Sequence, residues 1–228
     1  MLYDERAVKE NLRNREGKRV FFLGKEDRLT PSARDWLARE RVTILSGEEA
    51  KIHQYRLLGG GFCEEKPEHM THLHGDVLVY KTHPRIAWRG AMDTLEAELI
   101  LCKLETGLKP VQEILDLARR LIHCEVLNEP VGTFTLDGLT EAQQRSQSHF
   151  PQNHFGVAHF MPQAEDGRRI AWLNRSRCAC RAAELAACHA FTDRDGTLAR
   201  GDIVQALNRM SSMLYILMLR EKAEKKPT

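Results

Sequence analysis

The segment 83–104, HPRIAWRGAMDTLEAELILCKL, constrains the fold more than any other stretch of the chain. Pro84 suits a first helical turn, where its missing N–H would have no intrahelical partner. Trp88, Met92, Leu95 and Leu99 then recur at the spacing of one buried helix face, and Ile100 and Leu101 widen that stripe. Asp93 and Glu96 are three residues apart and so neighbours on the cylinder, while Arg85 and Arg89 place cations in the early turns. A long helix with both signs of charge beside its apolar stripe needs partners for them, either structural or catalytic.

The same periodicity recurs over 110–127, 140–148, 169–191 and 201–224. In the last of these, Ile203, Leu207, Met210, Leu214 and Leu217 form a continuous stripe. Five helices with short links predict a mainly α protein, a five-helix bundle. Upstream, 18–23 (KRVFFL) and 42–45 read as short strands around a helix opened by the N-cap signal Thr30-Pro31. Gly59-Gly60-Gly61 and Pro67 break the pattern between 46 and 74. The expected organisation is a small mixed α/β segment with a loop over 1–74, then a helical bundle over 75–228.

Composition narrows the partners. With 42% apolar residues in 228, the chain can bury a core; its formal net charge of +2 argues neither for nor against nucleic acid, and its Lys-rich run, 220–226, reads as a solvated helix end. The charged N-terminal stretch lacks the apolar run of a signal peptide, and 210–219 is too short to span a bilayer. The six cysteines fall mostly within helical patterns, which reads as reduced thiols in the cytoplasm.

On the fourth helix, Arg177, Arg181 and Glu184 stand at i, i+4 and i+7, on one face. Two guanidiniums one turn apart could grip a phosphate chain, or form a surface salt-bridge ladder. The alanines around them favour a closely packed setting, in which charges need partners. On the fifth helix, Asn208 to Ser212 interrupts the apolar stripe with polar groups that must find hydrogen bonds, with a ligand or with the backbone. Cys63, with His53, His69, His72 and His74 around it, offers zinc-type donors without a C-x-x-C pair, leaving a metal site or an unliganded loop. There is no glycine-rich phosphate loop and no nucleophile triad. Residues alone therefore reach a helical bundle with an anion site.

Five segments in order carry a resemblance: LTPSARDWLARERVTI, THL at 71–73, HPRIAWRGAMDTLEAEL, the R-x-x-x-R-x-x-E of the fourth helix and ALNRMSSMLYILM of the fifth. The set resembles the ATP:corrinoid adenosyltransferases of the ethanolamine-utilisation type. That resemblance implies a homo-oligomeric bundle with active sites between subunits, where ATP gives its 5′-deoxyadenosyl group to Co(I) of a reduced cobalamin. It implies Mg2+ with the nucleotide, and partners in a corrinoid reductase and an adenosylcobalamin-dependent ethanolamine ammonia-lyase, in or near a bacterial microcompartment. By position, Arg181 would bind the triphosphate and Arg177 would pair with Asp93 across a subunit boundary. Glu184 and Asn208 would contact the nucleotide, and Phe160 would be the aromatic residue below the corrin. Cys63 matches part of a metal motif, for zinc or iron. The chain departs from the broader pattern at Ala182, where a further Arg is usual, and at Ser212, where Asp is common. These departures keep open a non-catalytic corrinoid carrier, and a helical scaffold of the microcompartment is a blander rival.

Overall fold

The structure is a computed structural model that describes residues 1–15, 18–46 and 54–224. It is mainly helical with small sheets, and its described residues form two compact units.

The first unit comprises residues 1–56 and 60–66. It holds strand β1 (Leu2–Tyr3), helix α1 (Glu5–Glu10), β2 (Arg13–Arg15), β3 (Lys18–Leu23), β4 (Arg28–Leu29), helix α2 (Pro31–Arg39) and β5 (Thr43–Ser46). The strands β3 and β5 pair in parallel, β2 is antiparallel to β3, and β1 is parallel to β4. The Thr30-Pro31 signal works as expected: the Thr30 hydroxyl accepts the Ala33 N–H, and Pro31 fills the first turn. Val8, Phe21, Ala33, Trp36, Leu37 and Val42 form the unit's own core. Further on, β6 (Tyr55–Leu57) pairs antiparallel with β7 (Phe62–Cys63).

The second unit covers 57–59 and 67–228. It opens with a hairpin, β8 (Met70–His74) and β9 (Val77–Tyr80), in a stretch where the sequence pattern had shown only a broken loop. Its helices are α3 (Pro84–Thr106), α4 (Lys109–Leu127), α5 (Glu141–His149), α6 (Pro151–Phe155), α7 (Arg168–Phe191) and α8 (Gly201–Glu224). A 3-10 turn at Ala164–Asp166 precedes α7. No helix among the described residues is long and apolar enough to cross a membrane.

The central helix α3 buries the expected stripe, with Trp88, Met92, Leu95 and Leu99 all fully inside. It packs on α4 and α7, and α7 packs on α8; along α7 the small residues Ser176, Cys180, Ala183 and Ala187 are buried at helical spacing, Ser176 donating to the Glu98 carbonyl of α3 and Cys180 to the Leu207 carbonyl of α8. Ile100 and Leu101 do not join the core as expected. Each stays 42% exposed, because the 100° step per residue turns them past the line covered by α4 and α7. With Leu104, 76% exposed, they form an outward apolar stripe.

The charges on α3 find structural partners. Glu125 of α4, fully buried at its side chain, accepts from Arg85 Nε at 2.6 Å and from Arg89 Nε at 2.8 Å. Arg89 also donates to the Leu73 carbonyl at 2.7 Å, which ties the hairpin to the bundle. Glu96 pairs with Arg119 of α4 at 3.0 Å.

His83 caps α3, its Nδ1 accepting the Arg85 N–H at 3.2 Å. Burial first, then the Arg85 and Arg89 charges, hold the imidazole pKa below its ordinary 6.5, against an opposing pull from Glu125. A lowered folded pKa means the unfolded chain takes up the proton first. The stability His83 contributes is thus complete above about pH 6.5 and lost as pH falls through the lower folded value. His83→Asn keeps a capping group without titration and is expected to flatten the fall in urea midpoint between pH 7 and 5. An unchanged pH profile in the variant would disprove it.

Candidate active site

A cleft of about 650 Å³ lies in the second unit, between α7, α8, the end of α5 and the loop before the 3-10 turn. Helical spacing builds two of its walls. Asn174, Arg177, Cys178 and Arg181 recur at i, i+3, i+4 and i+7 along α7. Asn208, Ser211, Ser212 and Tyr215 do the same along α8. The loop adds His159, Phe160, Met161 and Pro162.

The structure brings together most of the predicted site residues. Arg177, Arg181, Asn208 and Phe160 all line the cleft. Arg181 is exposed, and neither arginine has an ion pair with a carboxylate among the described residues. Arg177 instead sits over the Tyr215 ring, 5.5 Å from its centroid. The salt-bridge ladder does not form, because the acids nearby are taken: Glu98 holds Arg175 with two bonds of 2.6 and 2.8 Å. Glu184 accepts from Asn208 Nδ2 at 3.0 Å, and Asn208 Oδ1 accepts from the Arg209 guanidinium. Glu184 therefore acts behind the cleft wall, on Asn208. Burial, then the nearby Arg145 charge, lowers the Arg209 pKa from its ordinary value.

The thiol of Cys180, beneath the wall, is inert. Cys180 is fully buried and donates to the Leu207 carbonyl at 3.2 Å, and desolvation drives its pKa far up. Cys178, by contrast, is exposed on the cleft wall. The cleft thus presents two guanidiniums without a carboxylate partner among the described residues, the Asn208 amide, and the rings of His159, Phe160 and Tyr215.

Asp93 lies apart, exposed on α3, with no ion pair among the described residues of its own chain. Cys63 is half-buried on β7 in the first unit. Among the described residues no group of three His, Cys, Asp or Glu side chains could hold a metal ion; His53 lies outside the described residues. His69 is stacked on Tyr80, ring centroids 5.6 Å apart.

Sequence reasoning missed Tyr215 and His159. The Tyr215 hydroxyl accepts the Phe160 N–H at 3.2 Å and is 3.3 Å from His159 Nδ1. The one available signal was spacing, since Tyr215 stands seven residues after Asn208 and so on the same face.

The protein is thus mainly helical, with a cleft that sets arginines beside aromatic rings. The profile of the cobalamin adenosyltransferase family matches residues 62–221. The chain is 30% identical over 230 aligned positions, 90% of its length and 86% of theirs, to the corrinoid adenosyltransferases EutT of Salmonella typhimurium and of Escherichia coli K12. Its fold is similar to that of a variant PduO-type ATP:corrinoid adenosyltransferase from Lactobacillus reuteri complexed with cobalamin and ATP. That likeness has a TM-score of 0.51 and 15% identity, covering 76% of this chain and 91% of the other. The chain belongs to the cobalamin adenosyltransferase family and is an enzyme of that family, a transferase.

Proposed function

We propose that the enzyme transfers the 5′-deoxyadenosyl group of ATP to the Co(I) centre of a reduced corrinoid. The electron pair of Co(I) forms the Co–C bond, the C5′–O bond breaks, and triphosphate leaves with that bond's electrons. Cobalt is the nucleophile, which accounts for a cleft without an activated side chain. The observation that carries the reading is Arg181, without an ion pair among the described residues, in a cleft that also presents Arg177, Asn208 and Phe160. Arg181 would hold the triphosphate and offset the charge that develops on the leaving oxygen. Asn208, held by Glu184, would orient the nucleotide, and Phe160 would lie against the corrin face.

Among the described residues no carboxylate lines the cleft, and Glu184 behind its wall is engaged with Asn208. Any Mg2+ would travel with the nucleotide phosphates, and the protein's own contribution is positioning. Zinc or iron at Cys63 has no assembled ligand set among the described residues, and His53 lies outside them.

We read α3, α4, α5, α7 and α8 as the five-helix bundle of this family, in a homo-oligomer with active sites between subunits. In support, Asp93 lies in line with Ala97, Ile100, Leu101 and Leu104, so an unpaired acid ends the outward apolar stripe. An Arg177 of a second copy would supply its partner. Leu104→Lys is expected to shift the protein to a smaller species in sedimentation, and Asp93→Asn to lower turnover. Unchanged size and turnover in both variants would remove this face from the interface. The EutT relatives support a role in ethanolamine catabolism, with a corrinoid reductase upstream and an adenosylcobalamin-dependent ammonia-lyase downstream.

The test is an anaerobic assay with ATP and chemically reduced cobalamin. The expected result is the visible spectrum of an alkylcobalamin together with one triphosphate per turnover. Corrinoid binding without triphosphate would indicate a carrier instead, and binding of neither ligand a scaffold.

A further inference from the structure

Tyr215 connects the two sides of the cleft. Its ring lies under the Arg177 guanidinium, and it stacks with His159 and Phe160 at centroid distances of 5.9 and 6.1 Å. Its hydroxyl is directed by His159. His159 Nε2 lies 3.1 Å from the His149 carbonyl, which can only accept, so that nitrogen carries the proton. In the neutral ring Nδ1 is then an acceptor and takes the Tyr215 O–H. The Tyr215 oxygen in turn accepts the Phe160 backbone N–H. The chain therefore runs from α8 to the loop and back to the end of α5, with each group in one role.

We propose that Tyr215, directed by His159, is a positioning residue that sets the Phe160 wall on the corrinoid side against Arg177 on the phosphate side. The proposal rests on the adenosyltransferase reading and deepens it. A second anchor of the same loop shows which part Tyr215 controls. Two turns further along α8, Lys222 lies 5.4 Å from the Phe160 ring centroid and pairs with buried Asp166. Asp166 accepts the Gln163 N–H at 2.8 Å. Lys222 thus holds the Phe160 ring and the end of the loop, whereas Tyr215 joins the Phe160 backbone to the arginine side. Adenosyl transfer needs the cobalt and the 5′ carbon in line, so slack between these walls weakens alignment.

The test separates the hydroxyl from the ring. Tyr215→Phe keeps the surface under Arg177 and loses only the link to Phe160 and His159. It is expected to weaken corrinoid binding or raise its KM by about three- to tenfold, the worth of one hydrogen bond, with the KM for ATP unchanged. Tyr215→Leu removes the ring as well and is expected to raise the KM for ATP too. Hydrogen exchange at 157–163 should quicken in both variants of the free protein, and circular dichroism should show the bundle intact. A Tyr215→Phe protein identical to the parent in corrinoid affinity and exchange overturns the proposal, as does one that raises both KM values equally. A parent chain that binds corrinoid but forms no Co–C bond instead overturns the transferase reading, and leaves corrinoid affinity and exchange to decide the role of Tyr215.

Discussion

Arg181→Ala is expected to lower kcat/KM for ATP by about 10²–10³-fold, the range for removing one preorganised donor from a developing anion. Arg181 stands in the cleft without an ion pair among the described residues, so its removal leaves no buried acid stranded and should not unfold the bundle. The loss should therefore appear in kinetics and not in the melting temperature. Arg181→Lys should recover only part of it, since an ammonium cannot present the guanidinium fork to two phosphate oxygens. Arg175→Ala is the control: that arginine is spent on Glu98, outside the cleft, and its loss should leave turnover nearly unchanged. Full turnover in Arg181→Ala under saturating reductant would end its assignment to the triphosphate.

The largest effect on stability is expected at Glu125. Its side chain is 0% exposed and carries two guanidiniums that are themselves mostly covered, at 27% and 20% exposure. Glu125→Gln leaves both cations facing a neutral amide at the junction of α3, α4 and the hairpin. Breaking a buried pair from one side costs about 3–5 kcal/mol, because the remaining charge stays desolvated. For a chain of this size each kcal/mol lowers the melting temperature by about 2–4 °C. Calorimetry on the variant should thus show a drop of roughly 6–20 °C. Removing Glu96, whose partner Arg119 is 52% exposed, should cost less than about 1 kcal/mol. A melting temperature for Glu125→Gln equal to that of the parent would mean the cluster is hydrated and contributes nothing.

These two residues also mark what was legible in the sequence. The long helices were, because burial on one face writes a period into residues such as Trp88, Met92, Leu95 and Leu99. The arginine site was legible as spacing, and the resemblance supplied its ligand. Glu125 was not, since periodicity reports which residues are apolar and is silent on a single acid turned inward to meet two cations from another helix. The outward turn of Ile100 and Leu101 was hidden for the converse reason: the sequence shows apolar residues but not where the covering neighbours stop. Tyr215 was masked by the apolar run around it. The hairpin Met70–Tyr80 escaped notice because His72 and His74 fall among its strand residues, and its register shifts between them.

The bonds around Asn208 carry a consequence for what the cleft can recognise. Arginine can only donate and a carboxylate can only accept, so Arg209 and Glu184 together fix which end of the amide is oxygen and which is nitrogen. One N–H is then spent on Glu184 and one lone pair of the oxygen on Arg209. Asn208 keeps one hydrogen to donate and one lone pair to accept with, at ends that cannot exchange. A ligand group that meets its nitrogen end must therefore present a lone pair there, and one that meets its oxygen end must bring a proton.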